Sequence, residues 1–501
     1  MKNHHVRFFV FILLSPLFFI ALDGGQILWG AVWNARIEQR LTAAISGLEA
    51  MKREVGGKRR IDVLMRDQSD WLASRTIDSA LEDYKTLYDR HLNNPVRPVR
   101  VVLGQVTLAL GLLPLMMGAY IALRIRRMAL IARRSRDALL HSFTLGIRRL
   151  PWWYISFSFL LLVVGASSIA AAGSLVFEFF SLQYGARPVI DNTGDIMMVV
   201  FMIVTGGACG FYLLLMVLSI RGFVRIRRAV RAAFVPEPLE IMGRSVSESE
   251  APVLWSLVRD VAARIGSVMP DRIMIGLNEC FFVTENSVAV TGGQTLAKRR
   301  TLYLPLTYLA FMKRREVEAV IGHELGHFMG EDGKYSIQFA PIYHRASSSL
   351  IAAHSVDRSG KTAPGIPEYF MSSFHEAVRY WSRLRELAAD QIGAKVAGAE
   401  AIASSLLRIA ALSPRVNEAL QICRRGGAEA KGGVLSQLGR LIAESGTADP
   451  NVDMGDQQPH PFDSHPPTRQ RIAAVGVEVT PQLLQGARDA QPSMLLAELK
   501  L

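Results

Sequence analysis

Apolar residues gather in long blocks before residue 221 and afterwards recur at helix or strand spacing, so the pattern divides the chain into a membrane part and a globular part. Val101–Leu123, Trp152–Phe177 and Ile196–Ile220 each reach the ~20 residues needed to cross ~30 Å of hydrocarbon, with no charge in their interiors. A further run, Phe8–Leu22, follows Lys2 and Arg7, is interrupted by Asp23-Gly24-Gly25 and resumes through Trp33. It reads as an uncleaved first anchor over 1–33 rather than a signal-peptide core, because no small-x-small cleavage site follows it. Residues 34–99 then form an extracytoplasmic loop, in which Trp71, Ile77, Leu81, Tyr84 and Leu92 keep near-helical spacing and Gly56-Gly57 turns one helix back on another. Residues 100–235 hold the other three spans, at about 101–123, 152–177 and 196–220.

The loop between the second and third spans carries Arg124, Arg126, Arg127, Arg133, Arg134, Arg136, Arg148 and Arg149, and the exit of the fourth carries Arg221, Arg225, Arg227, Arg228 and Arg231. Positive residues stay on the cytoplasmic side, which places the amino terminus and the large carboxy-terminal part in the cytoplasm. From 236 to 475 the chain reads as one globular domain, with 476–501 as a tail. Ala251–Ile265 has helical periodicity, whereas Arg272–Ile275, Phe281–Thr284, Ser287–Thr291 and Thr301–Leu304 are short, branched and bounded by turn residues, the mark of a small sheet. Helices follow, broken by a surface loop over Ser445–Pro467. The fold class is therefore mainly α, with transmembrane helices ahead of an α+β domain.

Composition narrows the chemistry. The 501 residues include 57 Lys+Arg against 44 Asp+Glu, a formal charge of +13, yet only 20% are charged. Because so many of the cations bracket apolar runs, their partner is the bilayer surface and not a nucleic acid. Cys209, Cys280 and Cys423 lie far apart without a CxxC pair, which excludes a disulfide scaffold and a zinc ribbon. Any metal must be held by histidine and carboxylate.

Such a set occurs in VEAVIGHELGHFMG. His323 and His327, spaced i,i+4, share one helix face and can hold one tetrahedral Zn²⁺, while Glu324 lies on the adjacent face, suited to act as general base on a water. Gly322 and Gly326 leave room for close packing. A third ligand is needed. The HExxHxxGxxH continuation fails, since Gly330 is in place but Gly333 stands where the last histidine belongs. WSRLRELAADQIGA offers Glu386 as ligand, with Asp390 one turn later to accept the free ring N–H of a zinc histidine. Glu331, Asp332, His344, His354, His375 and Glu376 remain competitors for the third position.

HELGH at 323–327, SRLRELAAD at 382–390 and SHPPTRQRI at 464–472 together resemble the HtpX-like and CAAX-prenyl-protease group of integral-membrane zinc metallopeptidases, which are gluzincins. The resemblance covers about residues 236–475. It implies a zincin-like cytoplasmic domain with one Zn²⁺ per chain, held by His323, His327 and Glu386 and supported by Asp390. It further implies that His465 stabilises the oxyanion, that Arg471 bridges to the site's carboxylates, and that a substrate strand pairs with an edge strand, for which Phe281–Thr291 is the candidate. The implied substrates are polypeptides, misfolded membrane proteins under stress among them, and the implied location is the bacterial inner (plasma) membrane. The chain departs from the group in one respect: Phe328–Trp381 contains no 18-residue apolar run, so every expected span precedes the peptidase domain. A domain tethered beside the bilayer fits this better than a shared intramembrane chamber acting on prenylated peptides.

The sequence bears on three other classes. Burial of the motif in lipid is opposed by Lys313, Arg314, Arg315, Glu316 and Glu318. A transporter would need acidic or basic residues inside the spans, and these are not expected. A non-catalytic membrane scaffold or chaperone retaining the metalloprotease fold is the remaining alternative, opposed by the intact His323, Glu324, His327 and Glu386.

Overall fold

The computed structural model describes residues 2–61, 76–184, 193–277, 279–329, 339–355, 365–426, 432–450 and 466–499. Two compact units emerge, one comprising Met1–Arg127, Gly146–Arg228 and Ala353–Ser372, the other Met128–Leu145, Ala229–Ala352 and Ser373–Leu501. Among the described residues, four helices are long and apolar enough to cross a membrane.

The first unit is built from these helices. Lys2–Val55 is a single helix of 54 residues, about 81 Å at 1.5 Å per residue, so it continues well past a ~30 Å hydrocarbon layer. Asp23-Gly24-Gly25, which interrupts the apolar run in sequence, leaves the helix unbroken. A backbone surrounded by lipid must satisfy its own hydrogen bonds, which keeps it helical through glycine, and Asp23 is fully buried with Ser168 Oγ donating to its carboxylate at 2.9 Å. An acidic side chain therefore does lie within the apolar section, contrary to the expectation from the sequence. Along Val96–Ile131, Gly104 and Gly111 face Ile27 and Ile20 of the first helix so closely that a Cβ would stand 2.9 Å and 2.7 Å from their Cγ1 atoms. Gly118 meets Ile12 in the same way. Small residues thus let two spans approach, as membrane helix pairs require. Toward the 34–99 segment Arg100 and Glu178 form a buried ion pair, and Asn34 Nδ2 donates to Glu178 Oε1 at 3.2 Å.

The loop helix is Ile77–Leu92, started by Thr76, whose hydroxyl accepts the Ser79 N–H. After a turn at Gly56, where φ is 83°, it folds back on the first helix through Leu48, Ile61, Ile77, Ala80 and Leu81. Trp71 lies outside the described residues.

In the second unit the strands are β1 (Leu239–Ile241), β2 (Gly243–Val246), β3 (Arg272–Gly276), β4 (Phe282–Thr284), β5 (Val288–Val290), β6 (Thr295–Leu296) and β7 (Thr301–Pro305). One sheet has the order β2-β3-β7-β4, with β3 and β7 parallel and the two outer strands antiparallel to them; the other has the order β1-β5-β6. The strands expected from the sequence recur within one residue at each end. Helix Pro252–Ile265, ended by Gly266 at φ 71°, packs Leu254, Val258 and Val261 onto Ile273, Ile275, Leu302 and Leu304. Residues 476–499, expected as a tail, are instead part of this unit: Ala490, Leu495 and Leu499 join the main core, and Ser493 N–H donates to Ala310 O at 2.7 Å.

Candidate metal centre

Two helices carry the site. Arg314–Gly326 holds His323 and Glu324 and ends at His327, while Ile366–Ala397 holds Glu386 and Asp390. The first begins where Glu316 accepts the Lys313 N–H at 2.8 Å. Its apolar face, Val317, Val320, Ile321 and Leu325, is buried in the core, and Ser267 Oγ donates to Leu325 O at 2.9 Å, holding its last turn. The two helices approach through glycines. A Cβ at Gly322 would stand 2.8 Å from Val396 Cγ2, one at Gly326 would stand 3.0 Å from Ile392 Cδ1, and one at Gly393 would stand 2.6 Å from Ala319 O. This close approach is what brings a carboxylate 59 residues further along the chain next to the imidazoles of His323 and His327.

Nε2 of His323 and Nε2 of His327 each lie 3.6 Å from a Glu386 oxygen, Oε2 and Oε1 respectively. The rings are 4.8 Å apart and nearly perpendicular, at 84°. One donor atom from each of the three residues falls within 4.8 Å of the others, and all three residues are buried. Two donors bound at ~2.0–2.1 Å to a tetrahedral metal stand roughly 3.3 Å apart, so the two 3.6 Å separations are close to the spacing such an ion needs. A carboxylate buried this completely needs positive charge beside it.

Around the donors lies a second layer. Asp390 Oδ1 is 2.9 Å from His323 Nδ1, and Arg471 clamps the same carboxylate through Nε and Nη2 at 2.8 and 2.7 Å. Burial alone would push the Asp390 carboxyl up, but the hydrogen bonds and charges of Arg471 and His323 prevail and hold it below the usual carboxylate range. Arg471 also reaches to 3.8 Å from Glu386 Oε2. The sequence reading gave no role to Arg385, whose Nη2 lies 3.3 Å from Glu386 Oε1, although it stands inside the same segment as the glutamate. Nor did it foresee Cys280, which leads into β4 and is close enough to Glu324 to feel its charge.

Among the competitors, His375 Nδ1 pairs with Tyr343 OH at 3.2 Å and Glu376 pairs with Arg133. Neither joins the donor group, nor does His344. Glu331, Asp332, the His354 side chain and His465 lie outside the described residues.

An HExxH helix packed against a glutamate helix beside a small mixed sheet forms a buried group that could hold a metal ion, here preceded by helices of membrane-spanning length. Residues 280–478 match the model of peptidase family M48, and part of the chain is similar to HtpX proteins. It is 33% identical to a "Protease HtpX homolog" of Pyrobaculum aerophilum over 175 residues, 32% of this chain and 46% of that protein. It is 32% identical to one from Thermococcus kodakarensis over 181 residues, 33% and 59% respectively. With "Protease HtpX" of Acinetobacter baumannii it shares 29% identity over 117 residues, 20% of this chain and 38% of that protein. The chain spans about half the length of the curated relatives that it matches.

Proposed function

We propose that this protein is a membrane-anchored zinc endopeptidase. The observation that carries the reading is the convergence of His323, His327 and Glu386 on one point, with Glu324 adjacent in sequence on the same helix. Those three residues would hold the ion, and zinc held there would supply Lewis acidity, polarising a peptide carbonyl and lowering the pKa of a bound water toward ~7. Glu324 accepts the proton of the attacking water and returns it to the departing amine. Asp390 fixes the His323 ring through Nδ1, and Arg471 holds Asp390 in place. His465 is assigned, on the family resemblance, to donate to the developing oxyanion. A substrate strand would add to the outer edge of β4, at Phe282–Thr284.

The membrane-length helices make the bilayer a partner of the chain. The arginine asymmetry of the loops supports a peptidase domain on the cytoplasmic side, of the inner (plasma) membrane in a bacterium, and the HtpX likeness supports misfolded membrane proteins as substrates. We take the peptidase domain to run from about residue 236 through 499, since Leu495 and Leu499 lie in its core.

Glu324→Gln tests the reading. The purified variant should keep zinc at wild-type stoichiometry and cleave casein at least about 10³-fold more slowly, the scale expected when the proton-transfer group is lost. A variant that cleaves at the wild-type rate refutes the assignment.

A further inference from the structure

The loop joining the second and third membrane spans, made of the end of helix Val96–Ile131, the turn at 132–135 and the first turns of helix Arg136–Tyr184, is built into the unit that contains the candidate metal centre. Met128–Leu145 groups with Ala229–Ala352 and Ser373–Leu501, although more than 80 residues of the other unit intervene in the chain. Its contacts fall on the Glu386 helix. The indole Nε1 of Trp381 donates to Ala132 O at 3.0 Å, and the Arg136 guanidinium lies 5.7 Å from the centre of the same ring. Phe143, fully buried, packs edge-on against Phe374 at 5.4 Å. Phe339 at 5.4 Å and Tyr343 at 5.5 Å complete the cluster. Arg133 pairs with Glu376.

We infer that this loop sets the position of Glu386, with Trp381 and Phe143 as positioning residues that act through the helix and touch neither metal nor substrate. The inference rests on the reading of Glu386 as a zinc ligand. Ile366–Ala397 is a helix of 32 residues held on both sides of Glu386. Beyond Glu386, Gly393 locks it against the HExxH helix, where a Cβ would strike Ala319 O. Before Glu386, Trp381 is only five residues away, about 7.5 Å along the axis, and Phe374 is one face-repeat further back. A rod fixed at one end alone can roll or slide, and a ligand carboxylate displaced by ~1 Å forfeits about 10²-fold in rate. The loop supplies the second fixing point. Its apolar residues Leu139 and Phe143 are buried for this reason, in a segment that otherwise carries the arginines of a membrane border.

The test uses the full-length protein in detergent micelles, loaded with Zn²⁺, with Trp381→Phe and Phe143→Ala beside Glu386→Gln. Zinc release to a chelator, kcat and KM on a quenched peptide, and melting of the metal-free protein are measured for each. Trp381→Phe removes the indole donor and keeps an aromatic ring. Both positioning variants should release zinc at least about 10-fold faster, as loss of support around a metal ligand does. The fall in rate should lie in kcat, with KM within about twofold, while metal-free melting stays near wild type. Wild-type zinc release and kcat in both variants would overturn the inference, as would losses that only follow a lowered melting temperature. If Phe143→Ala does not fold, the same readouts on Trp381→Phe and Phe143→Leu decide the matter. Should Glu386→Gln itself release zinc at the wild-type rate, the ligand assignment beneath the inference falls; if Glu386→Gln loses zinc and the positioning variants do not, only the inference falls.

Discussion

Asp390 and His323 meet at 2.9 Å, on the side of the imidazole away from the nitrogen that faces Glu386. The contact leaves the other ring nitrogen, Nε2, facing Glu386. Arg471 makes it rigid, because two parallel hydrogen bonds to a carboxylate fix its plane.

Asp390→Asn keeps the shape of this contact and removes its charge. Zinc affinity should fall about 10–100-fold, the usual loss when the partner of a ligating histidine is replaced. Competition with a fluorescent chelator measures it, and an unchanged affinity would separate Asp390 from metal binding.

Arg408 and Glu316 form a pair at 2.8 Å with side chains 1% and 3% exposed. Arg408 also donates to the carbonyls of Gly486 and Asp489, and Glu316 caps the HExxH helix. Arg408→Met leaves a buried carboxylate without its cation, a change that costs about 3–5 kcal/mol. Thermal unfolding of the variant should show a clear drop in Tm, and adding Glu316→Gln should recover part of it. Equal stability of Arg408→Met and wild type would contradict the pairing.

Gly104, Gly111 and Gly118 recur every seven residues and receive Ile27, Ile20 and Ile12 of the first helix. Gly111→Val places a branched side chain where a bare Cβ already stands 2.7 Å from Ile20. Overpacking of this kind costs about 1–3 kcal/mol. Detergent-solubilised protein should melt earlier, and Ile20→Ala in the same chain should reverse the effect by returning the space. Failure of that rescue would show that the two helices do not meet at this register.

Cys280 is exposed at its surface, but desolvation by the protein atoms packed around its sulfur, with the negative charges of Glu324 and Glu279 behind it, pushes the thiol up to about 11. A raised thiol pKa means that the reactive thiolate is scarce until the pH approaches that value. In a chain carrying Cys209→Ser and Cys423→Ser, alkylation by iodoacetamide should therefore keep rising through pH 10. An ordinary thiol would level off near pH 9, and that plateau would place Cys280 away from the carboxylates.

The parts legible in the sequence were those fixed by local spacing. HExxH needs only one helical turn, and β3, β4, β5 and β7 announce themselves by branched residues between turns. Glu386 could be singled out only because a metal motif upstream demanded a third donor. What could not be read depends on distant partners. Asp23-Gly24-Gly25 looks like a break in any local window, yet Ser168, 145 residues away, buries the acid inside a continuous helix. β1 and β2 escaped notice because their exposed positions, Glu240, Arg244 and Ser245, hide a pattern that only pairing reveals. Residues 476–499 passed for a tail since their few apolar side chains gain meaning only against Arg408 and the core.

The dependence of Asp390 on Arg471 has a consequence for biogenesis. During synthesis the histidines and Glu386 leave the ribosome well before the guanidinium that steadies them, and before Leu495 and Leu499 close the core. The clamp on Asp390 therefore cannot close until translation has passed residue 471.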